Sequence, residues 1–470
     1  MAAEPTVLFL QAHPSTFARH VADEIERIGG RALRINLCGG DWLLWRRRGA
    51  IAFRGRPADW PQFLRDYIAR ERVTDIVCYA DRHPYHRVAA AVARESGVRI
   101  STYEFGYLRP DWITLERGGM SAWSHFPRDP AQIRAIAAAA PEPDLAERYT
   151  YTFLAEAVAE VSYNLAAVLG TPLYPHYDAD KYYHPVADYL SYLPQLVTAR
   201  FADRRARALT DRLRRDATSF FLLPMQMQND YQLRSNSPFR HQIHAIEDTI
   251  ASFAVHADVG AHLVLKVHPL DNGMEKWSER VAAIAAAHGA GERVHLIRGG
   301  DLKTLITASR GVVVINSTVG IHALRHGAPV KVIGIALYDI AGLTHQGELD
   351  TFWQAAERPD QSLTADLLRA LAATIQVKGN FFTRDGRKAA VGEMARRIVE
   401  GRVNEPGGFV PQPPRLLRAA ALGIPLSLNE AVVAAGLAPA AAGGQPSSTP
   451  VVAAQADAAD APVRRLVRVS

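Results

Sequence analysis

Apolar residues recur along the first hundred positions in two rhythms. Short, nearly unbroken runs, "TVLFLQ" (6–11), "ALRINL" (32–37), "DIVCYA" (75–80) and "RISTYE" (99–104), alternate with longer stretches such as "TFARHVADEIERIGG" (16–30), "WPQFLRDYIARER" (60–72) and "YHRVAAAVARESG" (85–97). In the longer stretches the apolar positions return every three or four residues, which predicts amphipathic helices, while the short runs predict buried strands. Strands and helices in this order predict βαβ units around a parallel sheet. Residues 141 to 205 break the rhythm, being helical in parts and then rich in Tyr, His and Pro in "TPLYPHYDADKYYHPVADYLSYLP". The alternation then resumes with strands "SFFLLPM", "HLVLKV", "RVHLI", "GVVVIN" and "PVKVIG", separated by helices "HQIHAIEDTIASFAVHA", "WSERVAAIAAAHG", a short one near Leu302, and "VGIHALRHG".

Two α/β, doubly wound, Rossmann-type halves joined by a connector predict a GT-B-like arrangement, with a ligand cleft facing the carboxyl ends of the strands. We expect an N-terminal domain over 1–205, which includes the Tyr/His-rich connector, and a second domain over 206–375. Helices over 376–436 are expected to pack back on the first domain. From 437 to 470 the composition collapses to Ala, Pro, Gly, Ser and Val, which predicts a disordered tail. It closes on "VRRLVRVS", a basic and apolar tip that reads more simply as solvated than as a membrane contact.

Composition narrows the classes. The 470 residues are 48% hydrophobic, enough for a large core divided between two domains. Lys and Arg exceed Asp and Glu by six, a mild surplus that suits anionic small molecules or an anionic membrane surface and gives no case for nucleic acid. The two cysteines, Cys38 and Cys78, sit in apolar sequence and predict no disulfide framework, in keeping with a reducing cytoplasm. "MAAEPTVLFLQAHP" lacks the basic start of a signal peptide, and no window approaches the roughly 18 apolar residues of a membrane span. No Cys/His cluster has zinc spacing, and neither a Walker A nor a G-x-G-x-x-G motif occurs. No metal or cofactor is expected.

Four stretches carry candidate chemistry. In "HLVLKVHPLDNG" (262–273) a side-chain period of two sets Lys266 and His268 on one face, and Pro269 ends the strand. Both side chains can donate to a phosphate, although a plain strand end would look the same. In "GVVVINSTVGIHALRHGAPV" a strand ends at Asn316 and Ser317-Thr318 opens a helix, which is either ordinary capping or a seat for an anion. The loop in "LLPMQMQNDYQLRSNSPF" gathers Gln226, Gln228, Asn229, Asp230 and Arg234, amides and a guanidinium that suit sugar hydroxyls and carboxylates, or a solvated loop. In "TYEFGYLRPDWITLERGG" Glu104 stands at a strand's carboxyl end, placed to act as base or nucleophile, with Arg109 and Asp111 after it. Weaker candidates are Gln11 and His13 after the first strand, and His345 and Gln346 in "YDIAGLTHQGELDTFW". "NLCGGDWLLW" supplies a Gly-Gly turn, Asp41 and the pair Trp42 and Trp45 ahead of Arg46 to Arg48, a segment that dips into lipid, holds a sugar or acceptor through Asp41, or forms a surface loop.

Taken in order, these stretches, from "VLFLQAHPSTFARHVADEIERIGGRALRINLCGGDWLLW" to "YDIAGLTHQGELDTFW", resemble the KpsS/LipB family of capsule polysaccharide proteins over residues 5 to 400. The resemblance implies a retaining β-Kdo transferase of GT-B-like fold that takes CMP-Kdo as donor substrate. Its acceptor would be (lyso)phosphatidylglycerol at the inner face of the bacterial inner membrane, where the first Kdo begins the capsule's lipid-anchored linker. The protein would then be cytoplasmic and peripheral on that anionic membrane, with other capsule assembly and export proteins as partners. The related KpsC proteins carry two transferase modules, whereas this chain has one His-Pro/Asn-Ser-Thr set.

By that resemblance His268 and Ser317-Thr318 bind the CMP phosphate, with Lys266 as helper, and Pro269 and Asn316 complete the expected donor and phosphate site. The related modules read Glu-Asp-Gly where this chain reads Glu104-Phe105-Gly106, so Glu104 is the expected catalytic carboxylate, with Asp111 and Asp230 as substitutes. Arg109 or Arg234 would hold the sugar's own carboxylate. Two other readings stay open: a transferase of the same fold using another nucleotide sugar, and a capsule-export adaptor that binds the lipid-linked polymer without catalysis.

Overall fold

The computed structural model describes residues 4–426. The tail expected over 437–470 lies outside the described residues. The first domain's sheet is built from β1 (Thr6–Phe9), β2 (Arg31–Asn36), β3 (Ala50–Ala52), β4 (Asp75–Tyr79), β5 (Arg99–Phe105) and β6 (Trp112–Arg117). The second sheet holds β7 (Phe220–Pro224), β8 (His262–Val267), β9 (Val294–Arg298), β10 (Gly311–Val314) and β11 (Val330–Val332). A last strand, β12 (Gln376–Lys378), returns to the first sheet.

The strand orders are β12-β6-β5-β4-β1-β2-β3 and β11-β10-β7-β8-β9. The second sheet is parallel throughout, and the first is parallel from β3 to β5. Each order reverses once, between β1 and β4 in the first sheet and between β7 and β10 in the second. The connections on either side of a reversal run to opposite sheet faces and leave a crevice at the strands' carboxyl ends. The protein is thus an α/β chain of two doubly wound domains in a GT-B-like arrangement.

Why these segments form central strands is visible in their two faces. Val7 and Phe9 of β1 enter one apolar cluster while Leu8 enters another on the opposite face. In β8, Leu263, Leu265 and Val267 pack on one side of the second sheet and Val264 on the other. A strand covered on both faces needs apolar residues at every step, which is why the runs read as unbroken.

Three strands, β3, β6 and β12, escape the sequence pattern. β6 pairs antiparallel with β5, Glu104 opposite Thr114, and β12 pairs antiparallel with β6. "WITLER" follows a Pro and continues a polar turn, and the three-residue β12 is set by long-range pairing. The Arg384–Val399 helix packs on the Phe17–Arg27 helix, so this part of the chain belongs to the first domain's layers. The expected boundary at 205/206 falls inside a helix, Pro185–Arg215, which packs beside β9 of the second sheet. The expected Gly-Gly turn at 39–40 is instead the start of the Gly39–Trp45 helix.

The two domains share apolar packing. Phe126 and Ile133, from the chain just after β6, join the cluster under the second sheet. Arg415, buried near the chain's end, donates to the Phe126 carbonyl at 2.7 Å and to the Leu337 carbonyl at 2.6 Å, tying both halves together. Among the described residues no helix is long and apolar enough to cross a membrane.

Candidate functional site

Glu104 lies at the carboxyl end of a first-domain strand, where the second domain reaches it through Gln232. It sits one residue before the end of β5, half-buried, with protein around all but its open side. The Gln232 amide, from the second domain, donates to both of its carboxylate oxygens at 3.3 and 3.1 Å. Gln232 is fixed in turn, because its side-chain oxygen accepts from Ser121 Oγ at 2.7 Å and from Asn236 Nδ2 at 2.8 Å. Burial raises the Glu104 carboxyl to about 8, and the charges of Asp81 and Asp230 add to that rise. The Gln232 bond and the Arg109 guanidinium oppose it.

Arg109 is exposed in the turn between β5 and β6, with its guanidinium 4.8 Å from the Phe105 ring centroid. That turn closes through Gly106, whose N–H donates to the Trp112 carbonyl at 2.8 Å and where any Cβ would overlap that carbonyl. The Arg109 charge acts on Glu104 and Asp230 from the two sides of the cleft, and on His268 and His322 of the second domain. It is the cation around which the cleft's ionisable groups meet.

His268 follows β8 directly, and Pro269 starts a turn in which the Asp271 N–H donates to the His268 carbonyl at 3.0 Å. Asp271 holds this loop, accepting from Arg298 at 3.0 Å, Trp277 Nε1 at 2.8 Å and the Gly273 N–H at 3.0 Å. The His268 Nδ1 accepts from the Leu270 N–H at 3.1 Å. Burial lowers the imidazole to about 4, helped by the Arg109 and Lys266 charges. The ring is therefore neutral at pH 7, and with Nδ1 committed as acceptor its proton resides on Nε2, a donor toward the cleft. Lys266, expected to emerge beside His268, is buried at 7% exposure instead, and the charges acting on it are those of Asp203 and Asp301. It acts on His268 through its field.

After β10, Ser317 Oγ accepts from the Val319 N–H at 3.2 Å, and Thr318 caps the Val319–Arg325 helix without a side-chain capping bond. Asn316 departs from its expected role as a phosphate ligand. Its amide donates to the carbonyls of Gln232 at 2.7 Å and Asn236 at 3.1 Å, and its oxygen accepts from Gln226 Nε2 at 2.9 Å. Gln226 follows β7 and Asn316 follows β10, so these bonds span the crevice at the sheet's reversal and hold the segment that carries Gln232. Asn316→Ala is expected to lower stability by about 2 kcal/mol, because it strands these partners, and the shift can be read from the urea unfolding midpoint.

A family model for capsule polysaccharide biosynthesis proteins covers residues 74–382. The chain is also 31% identical over 380 residues to the capsule polysaccharide export protein KpsS of Escherichia coli, spanning 80% of this chain and 96% of that protein. The chain belongs to the capsule polysaccharide biosynthesis family. The capsule polysaccharide modification protein LipB of Neisseria meningitidis serogroup B is 29% identical over 398 residues, 80% of this chain and 92% of LipB. Among solved structures, Thermosulfurimonas dismutans KpsC, a beta Kdo 2,7 transferase, aligns at a TM-score of 0.37 and 13% identity, over 84% of this chain and 99% of that one.

In this member of the capsule family, several expected site residues turn out to be spent on structure. Asp111 accepts from the N–H groups of Arg148 at 2.7 Å and Tyr149 at 3.2 Å and pairs with Lys378 at 3.2 Å, which fixes the chain entering β6. Asp41 is buried against Arg34 at 2.6 Å and takes the Leu37 N–H at 2.8 Å. Gln11 donates to the hydroxyls of Tyr163 and Tyr177. Gln228 bridges the backbone at Arg240 and Gln242. His345 bonds Thr351 at 2.8 Å, and Gln346 bonds Thr344 and Asp339 while its side-chain oxygen accepts from Arg128 at 3.2 Å, so both side chains are engaged.

Asp230 commits one oxygen to capping the Tyr231–Ser235 helix, through the Gln232 N–H at 2.8 Å, and burial raises its carboxyl. Arg234 lies 3.6 Å from Asp180 and covers the Tyr231 ring, and Asn229 lines a separate cavity of about 60 Å³ with Tyr231 and Asp180.

Three cleft residues went unselected in the sequence. Asp81 follows β4 at the first sheet's reversal, and its buried Oδ1 has no hydrogen-bond partner among the described residues. The position after a strand at a reversal is itself a signal for it. His322 sits on the helix after Thr318, and burial lowers its imidazole to about 4. Gln232 reads in sequence as one more loop amide, and only the fold shows it crossing between domains. Among the described residues, no group of three or more His, Cys, Asp or Glu side chains is arranged to hold a metal.

Proposed function

We propose that this protein is a retaining β-Kdo transferase, which moves Kdo from CMP-Kdo to a (lyso)phosphatidylglycerol acceptor and so begins the lipid-anchored linker of a capsule. The reading is supported by membership in the capsule family and by one observation above the rest. A neutral histidine donor, an exposed arginine and a half-buried carboxylate of raised basicity meet in one interdomain cleft.

The chemistry follows from those three groups. The Nε2–H of His268 and the backbone N–H groups of Ser317 and Thr318 meet the charge that develops on the CMP phosphate as the bond from its oxygen to the sugar's anomeric carbon breaks. Arg109 pairs with the Kdo carboxylate and orients the anomeric carbon. Glu104 takes the proton of the acceptor hydroxyl as that oxygen bonds to the same carbon, a task suited to a group titrating near the working pH. Retention then results from attack on the face the phosphate leaves. Asp81, whose Oδ2 takes the Met120 N–H and pairs with Arg82 while Oδ1 has no hydrogen-bond partner among the described residues, is the carboxylate that a covalent intermediate would use instead.

The test is incubation of the protein with lysophosphatidylglycerol and either CMP-Kdo or a set of UDP-sugars. Transfer from CMP-Kdo with retained configuration is the expected result. Transfer from a UDP-sugar alone would remove the Kdo assignment, and no transfer from any donor would favour the adaptor reading.

A further inference from the structure

The Phe153–Leu169 helix has two unlike faces. Leu154, Val158, Val161, Leu165 and Val168 succeed one another at steps of four, three, four and three residues, which lines them up along the helix. All five are exposed, Leu154 at 68% and Leu165 at 52%. Glu156 and Glu160 fall on the opposite side at 100° per residue, so no charge interrupts the line. The other sides of the helix are engaged. Tyr163 receives Gln11, Asn164 donates to Tyr189 at 2.7 Å, and Glu160 and Asn164 line the cavity that also holds Asn229.

The neighbouring Gly39–Trp45 helix extends this surface. It approaches closely because Gly39 and Gly40 lack side chains, and a Cβ at either would run into Ala166 or Tyr163. Trp42 on it is 56% exposed, the Arg46 guanidinium lies 4.6 Å from its ring centroid, and Arg48 is exposed as well.

We propose that this face docks the protein on a bilayer with anionic headgroups, the Leu154–Val168 line and Trp42 entering the acyl boundary while Arg46 and Arg48 meet the headgroups. Against a partner helix, an apolar seam of this spacing is flanked by charges that pair across it. Here the exposed flanking residues are Ala155 and Ser162, and the nearby free charges on the adjoining segment are both basic. An uncharged apolar strip beside a tryptophan and like-charged arginines is complementary to an anionic membrane surface. The inference rests on the lipid-acceptor reading for its purpose. The inner side of the same helix borders the cleft, where Arg109 acts on Glu156, so a docked bilayer lies about one helix diameter, ~10 Å, from cleft side chains.

The full chain is mixed with phosphatidylcholine vesicles, with and without one-third phosphatidylglycerol, and sedimented. We expect wild type to pellet with the anionic vesicles and the Val158→Asp/Leu165→Asp variant to bind at least about tenfold more weakly. Arg46→Glu/Arg48→Glu should lose the preference for phosphatidylglycerol. Wild type that stays in the supernatant, or a Val158→Asp/Leu165→Asp variant that pellets as wild type does, overturns the assignment. Unchanged pelleting with a shift from dimer to monomer in light scattering would overturn it in favour of a second copy of the chain. Transfer to a short-chain, water-soluble lysophosphatidylglycerol is measured in parallel and should be equal in wild type and the Asp variant. If neither uses that acceptor, the transferase reading fails, while the pelleting result still decides the surface.

Discussion

Glu104→Gln is expected to lower kcat by about three orders of magnitude while CMP-Kdo binding stays within about threefold. The substitution keeps the shape of the side chain and an oxygen for the Gln232 amide, and removes only the ability to take a proton. Because burial raises the wild-type carboxyl to about 8, a reaction that needs its ionised form should quicken as pH rises through that value and level off above it. Gln232→Leu removes the hydrogen bond that favours ionisation, so the rising limb should move to higher pH, a displacement that a purely structural amide would not produce. Stability runs the other way. The carboxyl binds its proton more tightly folded than unfolded, so its contribution is complete below the unfolded value and fades as pH climbs toward 8. Glu104→Gln should accordingly be more stable than wild type at pH 8, a case of function held at the expense of the fold. Full activity in Glu104→Gln, or a pH limb unaltered by it, would exclude the residue as the base.

His268→Ala should cost about two to three orders of magnitude in kcat, the usual effect of removing one donor from a developing charge. His268→Gln can place an N–H near the Nε2 position and should recover part of the loss, and CMP should inhibit His268→Ala less strongly than wild type. Since the ring is already neutral well above about 4, the wild-type rate should show no separate inflection near the ordinary histidine value. An inflection there that vanishes in His268→Ala would mean that the imidazole works as a proton carrier.

How legible these residues were depended on what the surroundings had left for them to do. His268 was readable because a strand of alternating faces ends at a proline, and that pattern is local. Asn316 looked as good a phosphate ligand, yet the three hydrogen bonds of its side chain go to Gln226, Gln232 and Asn236, residues 80 to 90 positions away. Asp111 and Asp41 carry the same chemistry as Glu104, but backbone N–H groups and Lys378 or Arg34 engage them. A carboxylate at a turn is equally visible in sequence whether it is engaged or free. The stripe from Leu154 to Val168 shows a related gap, because the spacing predicts a helix face and only packing reveals that nothing in the described chain covers it.

The sequence by itself determined the two doubly wound sheets, since strands buried on both faces must be apolar at every step and the helices between them amphipathic. It also determined that His268 and Thr318 stand at the carboxyl ends of strands in one sheet. Tertiary structure alone decided which polar groups remain available, and it did so through the antiparallel β6 and β12, the Gln232 bridge and the Arg415 tie. The physical reason is that burial and hydrogen-bond satisfaction depend on partners far apart in the chain, whereas periodicity is written within a few residues.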